Sequence, residues 1–150
     1  AGGERRQDSV YQGLSQLDPD TKIVLIHDAV RPLVKSREIE EVIRRADQKG
    51  AAILASPMKL TVKKVNSSLE IIKTVPRHNL WMAQTPQGFN RDLIFKAYEK
   101  IKNTNAELTD DAEVVEKAGH TVEIVSGSYD NIKITTREDL ELAKLLLVKR

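Results

Sequence analysis

Cysteine is absent from the chain, and its absence removes several kinds of chemistry from consideration. A protein without cysteine can form no disulfide bridge, thiol nucleophile or thiolate metal site. The composition is compatible with a reducing cytoplasm, which is the location we expect.

Long apolar runs and a strong excess of one charge are also lacking. The 150 residues are 40% hydrophobic and 31% charged, with a formal net charge of +2. No apolar run approaches the roughly 20 residues of a membrane span. A nearly balanced charge offers no polybasic footprint for nucleic acid. We therefore expect one globular domain over residues 1–150, with no membrane or nucleic-acid partner.

Two common catalytic signatures are missing as well. The three histidines, at positions 27, 78 and 120, lack metal-ligand spacing, and the chain has no Gly-x-Ser-x-Gly motif. Zinc catalysis and triad hydrolysis therefore have little support.

The apolar pattern alternates between strands and helices. Strands are predicted at residues 22–26, 51–56, 121–125 and 131–134. Helices are predicted after Asp8-Ser9, from Ser36 as N-cap to Gly50 as C-cap, at 91–102, at 110–118 with Gly119 as terminator, and from Thr136 with Leu140, Ala143 and Leu147 inward. This order predicts a layered α/β fold with a mostly parallel sheet.

A β-hairpin interrupts this order. Residues 61–65 and 70–75 alternate around Asn66-Ser67-Ser68, which has the composition of a turn. Because the hairpin lies outside the strand-helix-strand pattern, we expect an arm of about residues 58–77 to project and pair with a second copy in a symmetric dimer.

Polar residues follow the predicted strands at the sheet edge where α/β proteins bind ligands. Asp28 and Arg31 follow the first strand, Thr109 opens a helix, and Lys133 and Thr135 end the last strand. Lysine, arginine, threonine and aspartate suit phosphate binding with a hard cation such as Mg²⁺. A phosphate monoester that attacks as nucleophile needs no general base at pH 7, because its second pKa lies near about 6.

The segment at residues 80–89, LWMAQTPQGF, holds the only tryptophan and mixes two glutamines, a threonine and a proline. We interpret it as a binding loop. With His27-Asp28-Ala29-Val30-Arg31-Pro32 and Asn131-Ile132-Lys133-Ile134-Thr135, it resembles the methylerythritol phosphate cytidylyltransferases of non-mevalonate isoprenoid synthesis. The resemblance covers the whole chain and implies a Rossmann-like nucleotidyltransferase fold with a hairpin dimerisation arm.

The resemblance implies a CTP site on one side of the centre. Gly3, Glu4 and Ser9 match a nucleotide-contacting segment, although the family usually has Asp at the position of Glu4. Asp28, Ala29 and Arg31 match the segment beside the ribose, the triphosphate and Mg²⁺, with Asp28 as metal ligand. Lys133 matches the catalytic lysine that neutralises the α-phosphate.

The resemblance also implies a site for the polyol phosphate. The matching substrate contacts are Thr61 and Arg77 on the arm, supplied to the neighbouring subunit, together with Thr85, Thr109 and Thr135. The family commonly has Asp-Thr where this chain has Leu60-Thr61, so we expect the arm or its grip on substrate to differ.

The implied reaction is attack of methylerythritol phosphate on the α-phosphorus of CTP. The family's N-terminal glycine-rich CTP loop has no match in these 150 residues, so we expect this polypeptide alone to be inactive. Two other functions stay open: a ribitol 5-phosphate cytidylyltransferase, or a non-catalytic dimeric remnant that binds a polyol phosphate.

Each motif also has a purely structural interpretation. Asp28 could cap a turn, and Lys133 could be a solvent-facing strand residue. Thr109 and Thr135 could be helix caps, and Trp81 could belong to the core.

Overall fold

The computed structural model describes residues 2–101 and 108–148 as helices and strands joined by short connections. The elements are α1 Arg6–Leu14, β1 Ile23–Ile26, α2 Ser36–Lys49, β2 Ala51–Pro57, β3 Val62–Val65, β4 Ile71–Val75, β5 Trp81–Asn90, α3 Arg91–Ile101, α4 Asp111–Lys117, β6 Glu123–Ser126 and α5 Arg137–Val148. None of the described helices is both long and apolar enough to cross a membrane. The predicted end of α3 at Lys102 lies outside the described residues.

The main sheet has the strand order β1-β5-β2-β6. Strand β5 pairs antiparallel with both β1 and β2, whereas β2 and β6 are parallel. The α/β class is confirmed. The expectation of a mostly parallel sheet is wrong, because two of the three pairings between neighbouring strands are antiparallel. Strands β1, β2 and β6 run in one direction, yet the reversed β5 separates β1 from β2.

Strand β5 occupies the segment that was expected to be a binding loop, so the expectation of a loop is wrong. Its residues 84–89 are buried in the sheet. Gly88 suits this position because a Cβ atom there would lie 2.6 Å from Val42 Cγ1 of α2. Glycine thereby lets the helix pack closely on the strand.

Helices cover both faces of the sheet. Alternate residues of β2 point to opposite faces, as strand geometry requires. Ala51 and Ile53 join the larger core cluster, to which α1, α3 and α4 contribute. Ala52 and Leu54 join the smaller cluster with Val42 of α2. This two-sided burial explains why β2 is a continuous apolar run.

The hairpin is confirmed as a separate two-stranded antiparallel sheet of β3 and β4. Asn66 Oδ1 accepts hydrogen bonds from the Ser68 and Glu70 amides and so closes the turn. Tyr129 holds the base of the hairpin: its hydroxyl donates to the Pro57 carbonyl over 2.7 Å, and its ring lies 3.3 Å from Lys59 Nζ.

Two helix starts differ from the sequence predictions. Helix α1 begins at Arg6 because Asp8 lies in its first turn and accepts from the Arg5 amide. Helix α2 has Lys35, not Ser36, as N-cap, since Glu38 accepts from the Lys35 amide over 2.9 Å. Gly50 is the predicted C-cap, with φ of 89°, and Gly119 ends the α4 region with φ of 93°.

Two predictions near the end of the described chain are wrong. Residues 131–134 are not a strand, and the Ile134 amide donates instead to the Val30 carbonyl in the turn after β1. In α5, Ala143 is buried but Leu140 and Leu147 are exposed, since no element of the described chain covers them.

Candidate active site

A cleft of about 280 Å³ opens where β1 ends and where the polar part of β5 crosses the sheet. Its lining combines three cationic, two carboxylate and several uncharged polar side chains. The lining residues are Arg6, Asp28, Arg31, Ala83, Gln84, Thr85, Gln87, Thr109, Asp110 and Lys133.

Asp28 holds two of the cations. Its Oδ2 lies 3.1 Å from Arg31 Nε and 3.3 Å from Lys133 Nζ. Burial alone would raise the pKa of Asp28, but hydrogen bonds and charge from Arg31 and Lys133 hold that pKa below its ordinary value. The carboxylate is therefore ionised at neutral pH and keeps the two cations close together.

Asn131 fixes the segment that carries Lys133. Its buried side-chain amide donates to the Thr85 carbonyl over 2.9 Å and to Gln84 Oε1 over 3.3 Å. Its own carbonyl accepts from Arg31 Nη1 over 2.8 Å. Since Lys133 follows two residues later, these bonds bring the lysine to Asp28 without any strand in the segment.

Thr85 joins β5 to the turn that carries Asp28. Its Oγ1 accepts from the Asp28 amide over 3.0 Å and lies 3.0 Å from His27 Nδ1. His27 Nε2 lies 3.1 Å from the Arg31 carbonyl, which can only accept. The consistent assignment is a histidine protonated at Nε2, with the Thr85 hydroxyl donating to Nδ1.

On another side of the cleft, Arg6 pairs with a buried carboxylate. One Arg6 nitrogen, Nη2, donates to Oδ2 of Asp111, whose side chain is 0% exposed, and the Tyr98 hydroxyl donates to Oδ1. Burial alone would lower the pKa of Arg6, but the bond and charge of Asp111 raise it. Burial and the charge of Asp111 raise the pKa of Tyr98 well above its ordinary value.

Gln87 and Asp110 organise the start of α4. Gln87 Oε1 accepts from the Asp111 and Ala112 amides, and its Nε2 donates to Asp110 Oδ2. Asp110 Oδ1 caps the helix by accepting from the Glu113 amide. Thr109 donates through both its amide and its hydroxyl to Glu113 Oε2. Thr109 lines the cleft one residue before the helix cap, so the interpretation of Thr109 itself as the cap is wrong.

The cleft brings together five of the candidate site residues. These are Asp28, Arg31, Thr85, Thr109 and Lys133.

The other candidates do not line the cleft. The Gly3 amide donates to Ser9 Oγ over 2.8 Å, Glu4 is exposed beside them, and Ala29 lies in the turn after Asp28. Thr135 donates through its amide and its hydroxyl to the Asp139 side chain in the first turn of α5, and the neighbouring Thr136 hydroxyl accepts from the Asp139 amide as the helix cap. Thr61 and Arg77 lie at the hairpin, where Arg77 donates to the Lys59 carbonyl.

Sequence reasoning missed several residues of the site. Arg6 lies before the helix that was predicted after Asp8-Ser9 and was given no role, and Asn131 was part of a motif without a role of its own. Gln84 and Gln87 stand out as buried amides in β5. Glutamines among apolar strand residues are the sequence signal that could have identified them, because buried amides need hydrogen-bond partners.

The donor set suits Mg²⁺ only in a limited way. Among residues 2–101 and 108–148, no group of three or more histidine or carboxylate side chains could hold a metal ion. Asp28 nevertheless lines an open cleft beside cations that suit phosphate. Mg²⁺ is commonly held by one or two carboxylates together with substrate phosphates and water, and Asp28 fits that arrangement.

Comparison with known proteins identifies what the chain is similar to. Residues 1–149 match the family model described as 2-C-methyl-D-erythritol 4-phosphate cytidylyltransferase. The protein of that name from Alkaliphilus oremlandii is 50% identical over 149 residues, which are 99% of this chain and 63% of the relative. The chloroplastic protein of Oryza sativa is 44% identical, over 97% of this chain and 49% of the relative.

Solved structures are similar to this chain in fold as well. The 4-diphosphocytidyl-2C-methyl-D-erythritol synthase of Anaerococcus prevotii superposes with a TM-score of 0.90 at 36% identity, over 99% of this chain and 66% of that one. The cytidylyltransferase structure from Francisella tularensis gives 0.87 at 37% identity, over 96% and 69%. This chain therefore spans about two thirds of each of these two solved chains.

We predict that Thr85→Val destabilises the protein by about 1–3 kcal/mol, because it leaves the Asp28 amide and His27 Nδ1 without their partner. Thr74→Val is the matched control. Thr74 accepts from Lys63 on the exposed hairpin, so its loss should change stability by about 0.5 kcal/mol or less. Urea denaturation of the whole protein measures both, and equal losses would contradict the role given to Thr85.

Proposed function

The chain belongs to the 2-C-methyl-D-erythritol 4-phosphate cytidylyltransferase family, and from that premise we propose that the protein transfers the cytidylyl group of CTP to 2-C-methyl-D-erythritol 4-phosphate. The products are CDP-methylerythritol and pyrophosphate, in non-mevalonate isoprenoid biosynthesis. The observation that carries the proposal is the cluster of Asp28, Arg31 and Lys133 at the end of β1.

The reaction needs neither a nucleophile nor a general base from the protein. A phosphate oxygen of the polyol phosphate bonds to the α-phosphorus of CTP, and the bond from that phosphorus to the pyrophosphate oxygen breaks. The attacking phosphate is largely ionised at pH 7. The protein therefore has to position two anions and offset their repulsion, which is the usual task in phosphoryl transfer.

Lys133 is the proposed catalytic residue. Its side chain is 49% exposed at the cleft, so its ammonium group can leave Asp28 for a phosphate oxygen. A cation placed where negative charge develops lowers the barrier. Asp28 would hold Mg²⁺, which when bound supplies charge neutralisation at the phosphates.

Arg31 has a different role, because its side chain is mostly buried and two of its nitrogens are already bonded. It is bound by Asp28 and by the Asn131 carbonyl, and its side chain is only 13% exposed. We assign it to orienting Asp28 and to the electrostatic field of the site. Gly3, Glu4, Ser9 and Ala29 remain proposed CTP contacts on the resemblance alone.

The polyol phosphate would lie near Thr85 and Thr109, with Thr135 as a nearby contact. Thr61 and Arg77 lie outside the cleft of their own chain, so we propose that a second copy supplies them through its hairpin in a homodimer. The exposed apolar residues of the hairpin, among them Ile71 and Ile72, support such a contact. The cytoplasmic location stays a prediction.

Steady-state kinetics of the whole protein with CTP, Mg²⁺ and methylerythritol phosphate test this function. We expect Lys133→Ala to lower kcat by about 100-fold or more with small changes in KM. Arg77→Ala should raise KM for the polyol phosphate by roughly 10- to 100-fold, through loss of a charge-assisted phosphate contact.

The control variant is Lys144→Ala, which removes an exposed lysine paired with Glu141 on α5 and should leave both constants unchanged. No pyrophosphate release by the wild type would reject the function. Faster turnover with ribitol 5-phosphate would reassign the substrate.

A mixing experiment tests whether one site uses two chains. We predict that mixed dimers of the Lys133→Ala and Arg77→Ala proteins regain activity, because one of their two sites then has both native residues. The assay uses a polyol phosphate concentration well below the wild-type KM, where the Arg77→Ala protein alone is slow. Random pairing makes roughly half of the dimers mixed, so about one quarter of wild-type activity should return. If both residues act within one chain, mixing restores nothing.

A further inference from the structure

The three cations of the cleft differ in how much of their binding capacity is already used. Arg31 is bound by Asp28 and the Asn131 carbonyl and is nearly buried. Lys133 is 49% exposed and Arg6 is 41% exposed. A ligand in the cleft can therefore meet two cations directly, and only Lys133 has a part in the proposed reaction.

Arg6 is held at the cleft by a buried anchor. One of its nitrogens bonds to Asp111, which the Tyr98 hydroxyl and the start of α4 fix in place. Within the described chain, the other N–H groups of Arg6 have no hydrogen-bond partner. A guanidinium fixed at one nitrogen loses little further freedom when its other N–H groups bind an anion.

Arg6 also lies between the segment of Gly3 and Glu4 and the cleft residues at the start of α4. It is the first residue of α1, two residues after Glu4, and it lines the cleft. Its anchor Asp111 follows the cleft residues Thr109 and Asp110. Of the residues that start α1, Arg6 alone lines the cleft.

We propose that Arg6 binds a phosphate group of a bound substrate, using the N–H groups that Asp111 leaves open. The inference rests on the proposed function for the identity of the substrates, CTP and the polyol phosphate. Both carry the phosphate that Arg6 recognises, and the test distinguishes them.

Two adjacent arginines provide a matched pair of variants. Arg6→Lys keeps the charge beside Asp111 but removes the additional N–H groups, whereas Arg5→Lys makes the same change at a residue that bonds to Asp8 and does not line the cleft. Tyr98→Phe removes a partner of Asp111 without touching the cleft, and so reports a purely structural effect.

Calorimetric binding to the whole protein uses CTP, methylerythritol phosphate and inorganic pyrophosphate as separate probes. We expect Arg6→Lys to weaken at least one probe by about tenfold or more, while Arg5→Lys and Tyr98→Phe change binding less than twofold. Weaker binding of CTP and pyrophosphate would place Arg6 at the nucleotide, and weaker binding of methylerythritol phosphate alone would place it at the polyol.

The inference fails if Arg6→Lys binds all three probes as the wild type does, or if Tyr98→Phe weakens them equally. It also fails if the wild type binds none of them. Binding is measured without turnover, so the two proposals can fail separately. A protein that binds the probes but releases no pyrophosphate would reject the proposed function. The binding of the variants would still decide whether Arg6 contacts a phosphate.

Discussion

The carboxylate of Asp28 holds Arg31, three residues away, and Lys133, from a distant part of the chain, at one point beside the end of β1. The attraction alone does not explain the geometry, since partly exposed ion pairs are each worth about 0–1 kcal/mol. Placing Arg31 and Lys133 side by side also costs mutual repulsion. The arrangement depends instead on hydrogen bonds to β5. These bonds hold the Asp28 turn and the Asn131 segment in place independently of the ion pairs.

Strand β5 supplies those bonds because it combines two roles. Between β1 and β2 it completes the sheet, and at Gln84, Thr85 and Gln87 it places polar groups in the interior. Thr85 holds the Asp28 turn and Asn131, and Gln87 holds the start of α4. Buried polar groups stabilise a fold only when they have partners, and here their partners are the segments that form the cleft.

The sequence predicted the elements whose side chains follow a single pattern. Buried β2 was a continuous apolar run, α2 ended at Gly50 as predicted, and the hairpin alternated around Asn66. It did not predict β5, because a strand with buried glutamines resembles a loop. The segment at Asn131 was also mispredicted, because the long-range hydrogen bonds that hold it leave no periodic signal in the sequence. The exposed face of α5 was mispredicted because its apolar residues follow a helical period whether or not another element packs on them. Asp28 and Lys133 were indicated by their places at the ends of predicted strands and by the resemblance, whereas Arg6 required the geometry of its pair with Asp111.

The hydrogen bonds of β5 to its partner segments imply that the cleft is formed before substrate binds. Amide hydrogen exchange of the ligand-free protein tests this at two bonds, from the Asp28 amide to Thr85 and from the Ile134 amide to the Val30 carbonyl. We predict that both amides exchange much more slowly than the amide of Leu60, which lies in an exposed connection. Exchange of either amide as fast as that of Leu60 would show that the cleft is not assembled in advance and would contradict the account.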